Sequence, residues 1–177
     1  MGLGQTLLTI MALILMGRLI LTVNTNMLDS GYTKDMAEYR ITATSLGTSM
    51  LEFANSLAFD EATVDTFLTN SQSASLTAAA SFGTDAGESG YLTFDDIDDY
   101  HNFERIDSLE NSAIFKTTGK VEYLSLSGST LTVSTTKSFN KMITVLVTSD
   151  YLVDYSTTPP KPDTLKFQSV FSYWYFR

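Results

Sequence analysis

The chain has 177 residues, room for one domain and a long extra segment but not for two full domains. Its 20 acidic against 11 basic side chains give a net charge of -9, which repels phosphate and makes nucleic acid or anionic headgroups poor ligands. There is no cysteine, hence no disulfide, thiol chemistry or cysteine-held cluster, and the single histidine, His101, excludes most metal and acid–base designs.

The first 23 residues, MGLGQTLLTIMALILMGRLILTV, carry no charge before Arg18, and the next charge after it is Asp29. Such a run is long enough to cross a bilayer, for which ~17–25 residues suffice. A cleaved secretory signal fits poorly: a basic n-region is lacking, the apolar run is too long, and no small-x-small cleavage site stands out. Arg18 costs roughly 2.5–3.5 kcal/mol at a membrane centre, so a later environment is expected to use its charge.

From Leu28 the apolar positions Leu28, Tyr32, Met36, Tyr39, Ala43, Leu46, Met50, Phe53 and Leu57 follow steps of three and four, one helical stripe. The spacing predicts a helix over 1–58, hydrophobic over 1–27 and amphipathic over 28–58. Tyr32, Met36, Tyr39, Leu46, Met50, Phe53 and Leu57 are its expected contacts with a following sheet. Gly17, Asn24–Asn26 and Gly31 are its weak points, where helix propensity is low.

Residues 59–177 are expected to form a globular head, with 59–118 a variable loop region and 119–177 an antiparallel sheet. SQSASLTAAASFGTDAGESG reads as a low-complexity surface loop. Period-two alternation places strands near Lys120–Ser127, Thr130–Thr136, Lys141–Ser149 and Leu165–Phe176, with a tight turn at Gly128–Ser129. The proline-rich Pro159–Pro162 is expected to be an extended linker, since proline is excluded from a central strand. Short connections imply an antiparallel meander of about four strands, with Val145 and Val147, or Phe171 and Tyr173, on the apolar face. The fold class is α+β. In the last run, Phe167, Phe171, Tyr173 and Tyr175 fall on one face, and Val170, Trp174 and Phe176 on the other.

Asp95, Asp96, Asp98 and Asp99 form the one cluster with the look of a metal site, a calcium candidate weighed against a solvated acidic turn; the spacing is not that of an EF-hand. His101 beside it has no nucleophile motif or second histidine to work with, and reads as a surface or packing residue. No phosphate loop, nucleophile elbow or zinc spacing occurs, and an enzyme is not indicated.

The succession of charge-poor helix, amphipathic continuation, variable loop and antiparallel sheet resembles a type IV pilin or pseudopilin. MGLGQTLLTIMALILMGRLILTV looks like the hydrophobic assembly segment of that family, and RITATSLGTSMLEFANSLAFDE like the second half of its helix. TFDDIDDYHNF and NKMITVLVTSDYL look like pieces of pilin-like heads. The resemblance implies that numbering starts at a processed, methylated Met1 and that Gln5 stands where the family carries a glutamate that pairs with a neighbour's amino terminus. The family's helix-kinking proline and C-terminal disulfide are missing here. Met1, Gln5, Leu7, Leu8, Ile10, Leu13, Ile14, Arg18, Leu19 and Ile20 are the implied assembly residues. The expected function is a structural subunit of an extracellular, cell-surface filament that polymerises with itself. It would wait in the inner membrane and use a prepilin peptidase and assembly machinery, without a cofactor. A pseudopilin or minor pilin of a type II secretion system, and a single-pass membrane-anchored module that binds calcium and never polymerises, stay open as alternatives.

Overall fold

The computed structural model describes residues 2–88, 90–109, 113–154 and 157–174. Met1, Tyr175 and Phe176, named above for assembly and for the last strand, lie outside the described residues. The chain divides into two compact units, Met1–Arg40 and Ile41–Arg177.

One helix, α1, spans Leu3–Ala54, 52 residues. No proline occurs before Pro159 to break it, and its hydrogen bonding runs through Gly17, Asn24–Asn26 and Gly31. In the first unit the helix is long and apolar enough to cross a membrane, and its apolar stretch is unburied. The hydroxyls of Thr6, Thr9, Thr22, Thr25 and Thr33 donate back to helix carbonyls three or four residues earlier. Polar side chains thus spend their donors inside the helix, which an apolar surrounding requires.

The second unit is α+β. The last turns of α1 bury Ala43, Gly47, Met50 and Ala54. Of the expected contact stripe, Met50 is buried, while Met36, Tyr39, Leu46 and Leu57 are half-buried and Tyr32 and Phe53 remain exposed. The buried line runs through Gly47 and Ala54, each one position beyond the larger Leu46 and Phe53. Small residues face the sheet because its own side chains are large: a methyl group on Gly47 would collide with the Phe167 ring.

After α1 a short turn leads to α2 (Glu61–Val64), whose N-cap Asp60 accepts from Ala62 N–H at 3.2 Å, while its own N–H donates to Thr63 Oγ1 at 3.0 Å. Short pieces of 3₁₀-helix follow at Asn70–Ser75, kinked at Gln72, at Ala79–Ser81 and at Asp98–Tyr100, and the first two partly order the low-complexity stretch. Ala58 bridges to Asp96 in parallel, its N–H donating to Asp95 O at 2.9 Å and its carbonyl accepting from Ile97 N–H at 3.0 Å. The end of the long helix is thereby tied to the acidic segment.

The five strands are β1 (Glu104–Ser108), β2 (Ile114–Ser127), β3 (Thr130–Ser134), β4 (Asn140–Asp154) and β5 (Lys161–Ser172). All pairings are antiparallel, in the order β1-β2-β4-β5, and β3 joins the far end of β2. β1 escaped the sequence reading because it sits among charges and pairs with the first residues of β2, which begins six positions before the expected Lys120. The hairpin at Gly128 has φ +64°, a conformation glycine adopts freely. Pro162 is part of β5 opposite Val153, not of a linker. β5 is an edge strand, where a missing N–H can face outward without cost.

Strand parity puts Phe115, Thr117, Val121 and Tyr123 of β2 and Ile143, Val145 and Val147 of β4 in the core, with Phe171 of β5 and Tyr173 just beyond it. On the opposite face Val170 is exposed, and Trp174 beyond the strand is exposed too, so β5 is covered by its own chain on one side. At Gly119 the turn 100–103 lies directly on β2: Gly119 N–H donates to Phe103 O at 2.9 Å and Asn102 N–H to Gly119 O at 3.0 Å. A Cβ there would run into the Tyr100 carbonyl oxygen and sit 3.3 Å from Met50 Cε. Backbone gives way less readily than a side chain. Gly119→Ala is expected to lower unfolding stability by about 1–3 kcal/mol, read from denaturant midpoints of the full chain in detergent, with Gly128→Ala as a control for turn strain alone.

Candidate functional site

The expected assembly residues other than Met1, which is outside the described residues, lie on α1 in the first unit. Leu7, Leu8, Ile10, Leu13, Ile14, Leu19 and Ile20 are 57–71% exposed, and Gln5 and Arg18 are exposed with them. Arg18 has no acidic partner within the chain among the described residues. Gly4 and Gly17 leave notches with open space where a Cβ would be. An apolar surface of this kind interrupted by small residues suits close approach by another helix.

In the second unit the densest chemistry is inside. Lys141, at the start of β4, has no exposed side-chain surface. Its ammonium donates to three oxygens: Phe59 O at 2.7 Å, Asp60 Oδ2 at 2.8 Å and Asp98 Oδ1 at 2.5 Å. The rings of Phe59, Phe82 and Tyr123 surround it, with centroids 4.8, 4.9 and 5.5 Å from Nζ. Every ammonium proton is used, as a buried charge requires.

Asp60 is held in place by more than the lysine. Its carboxylate accepts from Ala62 N–H, from Thr77 N–H at 3.0 Å, from Thr77 Oγ1 at 3.1 Å and from Tyr123 Oη at 3.2 Å. Burial, then the Asp60 charge, push the Tyr123 hydroxyl well above the ordinary tyrosine range, so it stays a donor.

The four aspartates read as one calcium candidate do not form one site. Asp96, Asp98 and Asp99 are buried and Asp95 is exposed. Asp98 turns to Lys141. Asp96 Oδ1 caps the following turn, accepting from Asp98 N–H at 2.7 Å and Asp99 N–H at 3.3 Å. Asp99 Oδ2 accepts from the N–H groups of Asp95 and Asp96, both at 3.3 Å. Glu88, Asp95 and the buried Asp99 do come together, one oxygen from each within 4.8 Å of the others. This set is not the one expected from the sequence, since it adds Glu88 and leaves out Asp96 and Asp98. The solvated acidic turn does not describe the segment either, because most of it is core.

Burial, reinforced by the neighbouring Asp98, raises Asp96 to about 9, so its carboxyl is protonated at neutral pH and hydrogen-bonds the Asp98 carboxyl. Burial and a hydrogen bond to Glu88 raise Asp99 to about 7. Burial also pushes Asp98 upward, against the pull of Lys141. The cluster thus sets one ammonium against two carboxylates and one neutral acid.

His101 packs as expected: Nδ1 lies 2.8 Å from Val121 O, and the ring meets Phe82 at 5.8 Å. Lys141 was missed, although strand parity offered a signal. Counting back in twos from Val147 and Val145 leads through Ile143 to Lys141, on the core face. Its partner Asp60 stands in the turn just past the helical stripe, 81 residues away in the chain.

Comparison with protein-family models, curated proteins and solved structures finds no match. In general plan, with a long apolar N-terminal helix whose last turns pack on an antiparallel sheet, the chain is pilin-like.

Two outcomes follow from the buried cluster. Lys141→Met leaves two buried carboxylates facing no cation, and is expected to cost about 3–5 kcal/mol in denaturant unfolding. Asp96 and Asp99 bind protons more tightly folded than unfolded. The stability they contribute is full below the ordinary value of 3.8 and is lost as pH rises through about 7 for Asp99 and about 9 for Asp96. Melting temperature should therefore fall with rising pH across that window, and less steeply in Asp96→Asn.

Proposed function

We propose that this chain is a structural subunit of an extracellular type IV pilus-like filament, inserted in the inner membrane before assembly and polymerising through α1. The observation that carries the reading is the run of leucines and isoleucines on α1 left without cover by their own chain. Burying such a side chain is worth roughly 1.5–3 kcal/mol relative to water. Lipid supplies that environment first, and a bundle of neighbouring helices replaces it.

Since lipid is already apolar, the transfer draws its drive from packing and polar pairing, not from hydrophobic burial. The notches at Gly4 and Gly17 favour packing. Arg18 supplies the pairing, with an acidic group or carbonyl of another subunit as its partner. Gln5, without charge, offers its amide to a neighbour where the family has a glutamate. The role is assembly, served by a prepilin peptidase and pilus machinery.

Material sheared from cells producing this chain should contain fibres in which it is an abundant component, seen by electron microscopy and mass spectrometry. Arg18→Leu should keep the chain in the membrane fraction but reduce fibre yield at least several-fold. A chain that stays wholly in the membrane, with no fibre containing it, would mean an anchored module instead. Its presence only as a trace component would mean a minor subunit or pseudopilin.

A further inference from the structure

The cluster around Lys141 is more than a buried ion pair needs. A primary amine lies against the carboxyl group of Asp98, a second carboxylate contacts the amine, and a third carboxyl contacts Asp98. Three aromatic rings close the site. We propose that Lys141 and Asp98 condense spontaneously to an intramolecular isopeptide bond, with Asp60 and Asp96 as the catalytic base and acid. The inference is independent of the filament reading.

The geometry assigns the roles. Lys141 Nζ is 2.5 Å from Asp98 Oδ1 and 2.8 Å from Asp60 Oδ2. Asp98 makes the shorter contact with the amine, and Asp60 is fixed beside it by donors from Ala62, Thr77 and Tyr123. The Asp60 carboxylate is well placed to take a proton from the ammonium. Asp98 has one oxygen on the lysine, and its carboxyl is hydrogen-bonded by Asp96. Protonation of Asp96 at neutral pH, caused by its burial, supports its part as the acid.

The step balances without a co-reactant. Asp60 takes a proton from the Lys141 ammonium, and the freed amine attacks Cγ of Asp98 to form the C–N bond. Asp96 gives its proton to an Asp98 oxygen as charge develops there. The C–O bond to that oxygen then breaks and the oxygen leaves as water. The leaving oxygen takes its second proton from Asp60; of the three ammonium protons, one stays as the amide N–H, one leaves in the water by way of Asp60, and one returns Asp96 to its acid form. Asp60 ends as a carboxylate and Asp96 as an acid. Oxidation states do not change.

Two physical factors drive the step. Amine and carboxyl are fixed side by side, so the bimolecular entropy cost is already met by folding. The amide is also neutral where Lys141 and Asp98 were a buried ion pair, and Asp60 keeps its donors from Ala62, Thr77 and Tyr123. The amide N–H retains Asp60 or the Phe59 carbonyl as acceptor, and its oxygen retains Asp96 as donor. The bond would join the 3₁₀ turn Asp98–Tyr100 to β4 across a separation of 43 residues. In a chain without cysteine it does what a disulfide does elsewhere, restricting the unfolded chain by closing a long loop.

The test is mass spectrometry of the full-length chain purified in detergent, with peptide mapping after denaturation. The expected result is a chain lighter by one water than its Lys141→Arg variant after allowing for the substitution. A branched peptide should join Lys141 to Asp98, and trypsin should fail to cut after Lys141. Asp98→Asn should lose ammonia instead of water and reach the same final mass as the wild type, since both end at the same amide. Asp96→Asn should cross-link at least tenfold more slowly. Folded wild-type chain at its full uncondensed mass, with Lys141 and Asp98 recovered in separate peptides after prolonged incubation, would overturn the proposal. So would a branch from Lys141 to Asp60. The wild-type measurement decides even where a variant does not fold.

Discussion

A lysine ammonium cut off from water is the constraint to which much of the second unit answers. Its charge must be met by oxygens, and they come from places far apart in the chain: the Phe59 carbonyl, the Asp60 N-cap and the Asp98 turn. Each of these is positioned by something else. Asp60 is held by the start of α2 and by Thr77, and Asp98 by the bridge from Ala58 to Asp96. The loop between helix and sheet is therefore ordered by polar contacts with β4 more than by a hydrophobic face of its own. This explains how a stretch rich in serine, alanine and threonine can pack at all. It has few large apolar groups to bury, and Leu76 and Phe82 are among those it does bury.

The helix–sheet contact follows a different rule, close approach through small residues. Gly47 admits the Phe167 ring, and Gly119 admits the Tyr100 carbonyl. Both contacts bring large groups against backbone, where a single added methyl has nowhere to go. The apolar stretch of α1 in the first unit has no such partners among the described residues, and that contrast within one helix is what a membrane or a neighbouring helix would resolve.

The acidic segment shows how a sequence pattern can mislead about chemistry. Four aspartates in five residues suggest a cation, and the structure supplies one in Lys141 Nζ, to one of the four. Distance in sequence hid the pairing: Lys141 lies 43 residues from Asp98 and 81 from Asp60. Parity along β4 pointed Lys141 inward, yet nothing local said which acids would meet it.

By itself the sequence determined the α+β class, one long apolar-to-amphipathic helix, most strand positions and the absence of disulfides. These are properties of periodicity and composition, which act over a few residues at a time. Only the tertiary structure decided that Gly47 and Ala54, in place of Leu46 and Phe53, face the sheet, that β1 completes it, and that Pro162 belongs to an edge. It also decided that the aspartates are core. Those outcomes depend on which surfaces meet, and on the cost of leaving a buried charge unanswered, which no local pattern records.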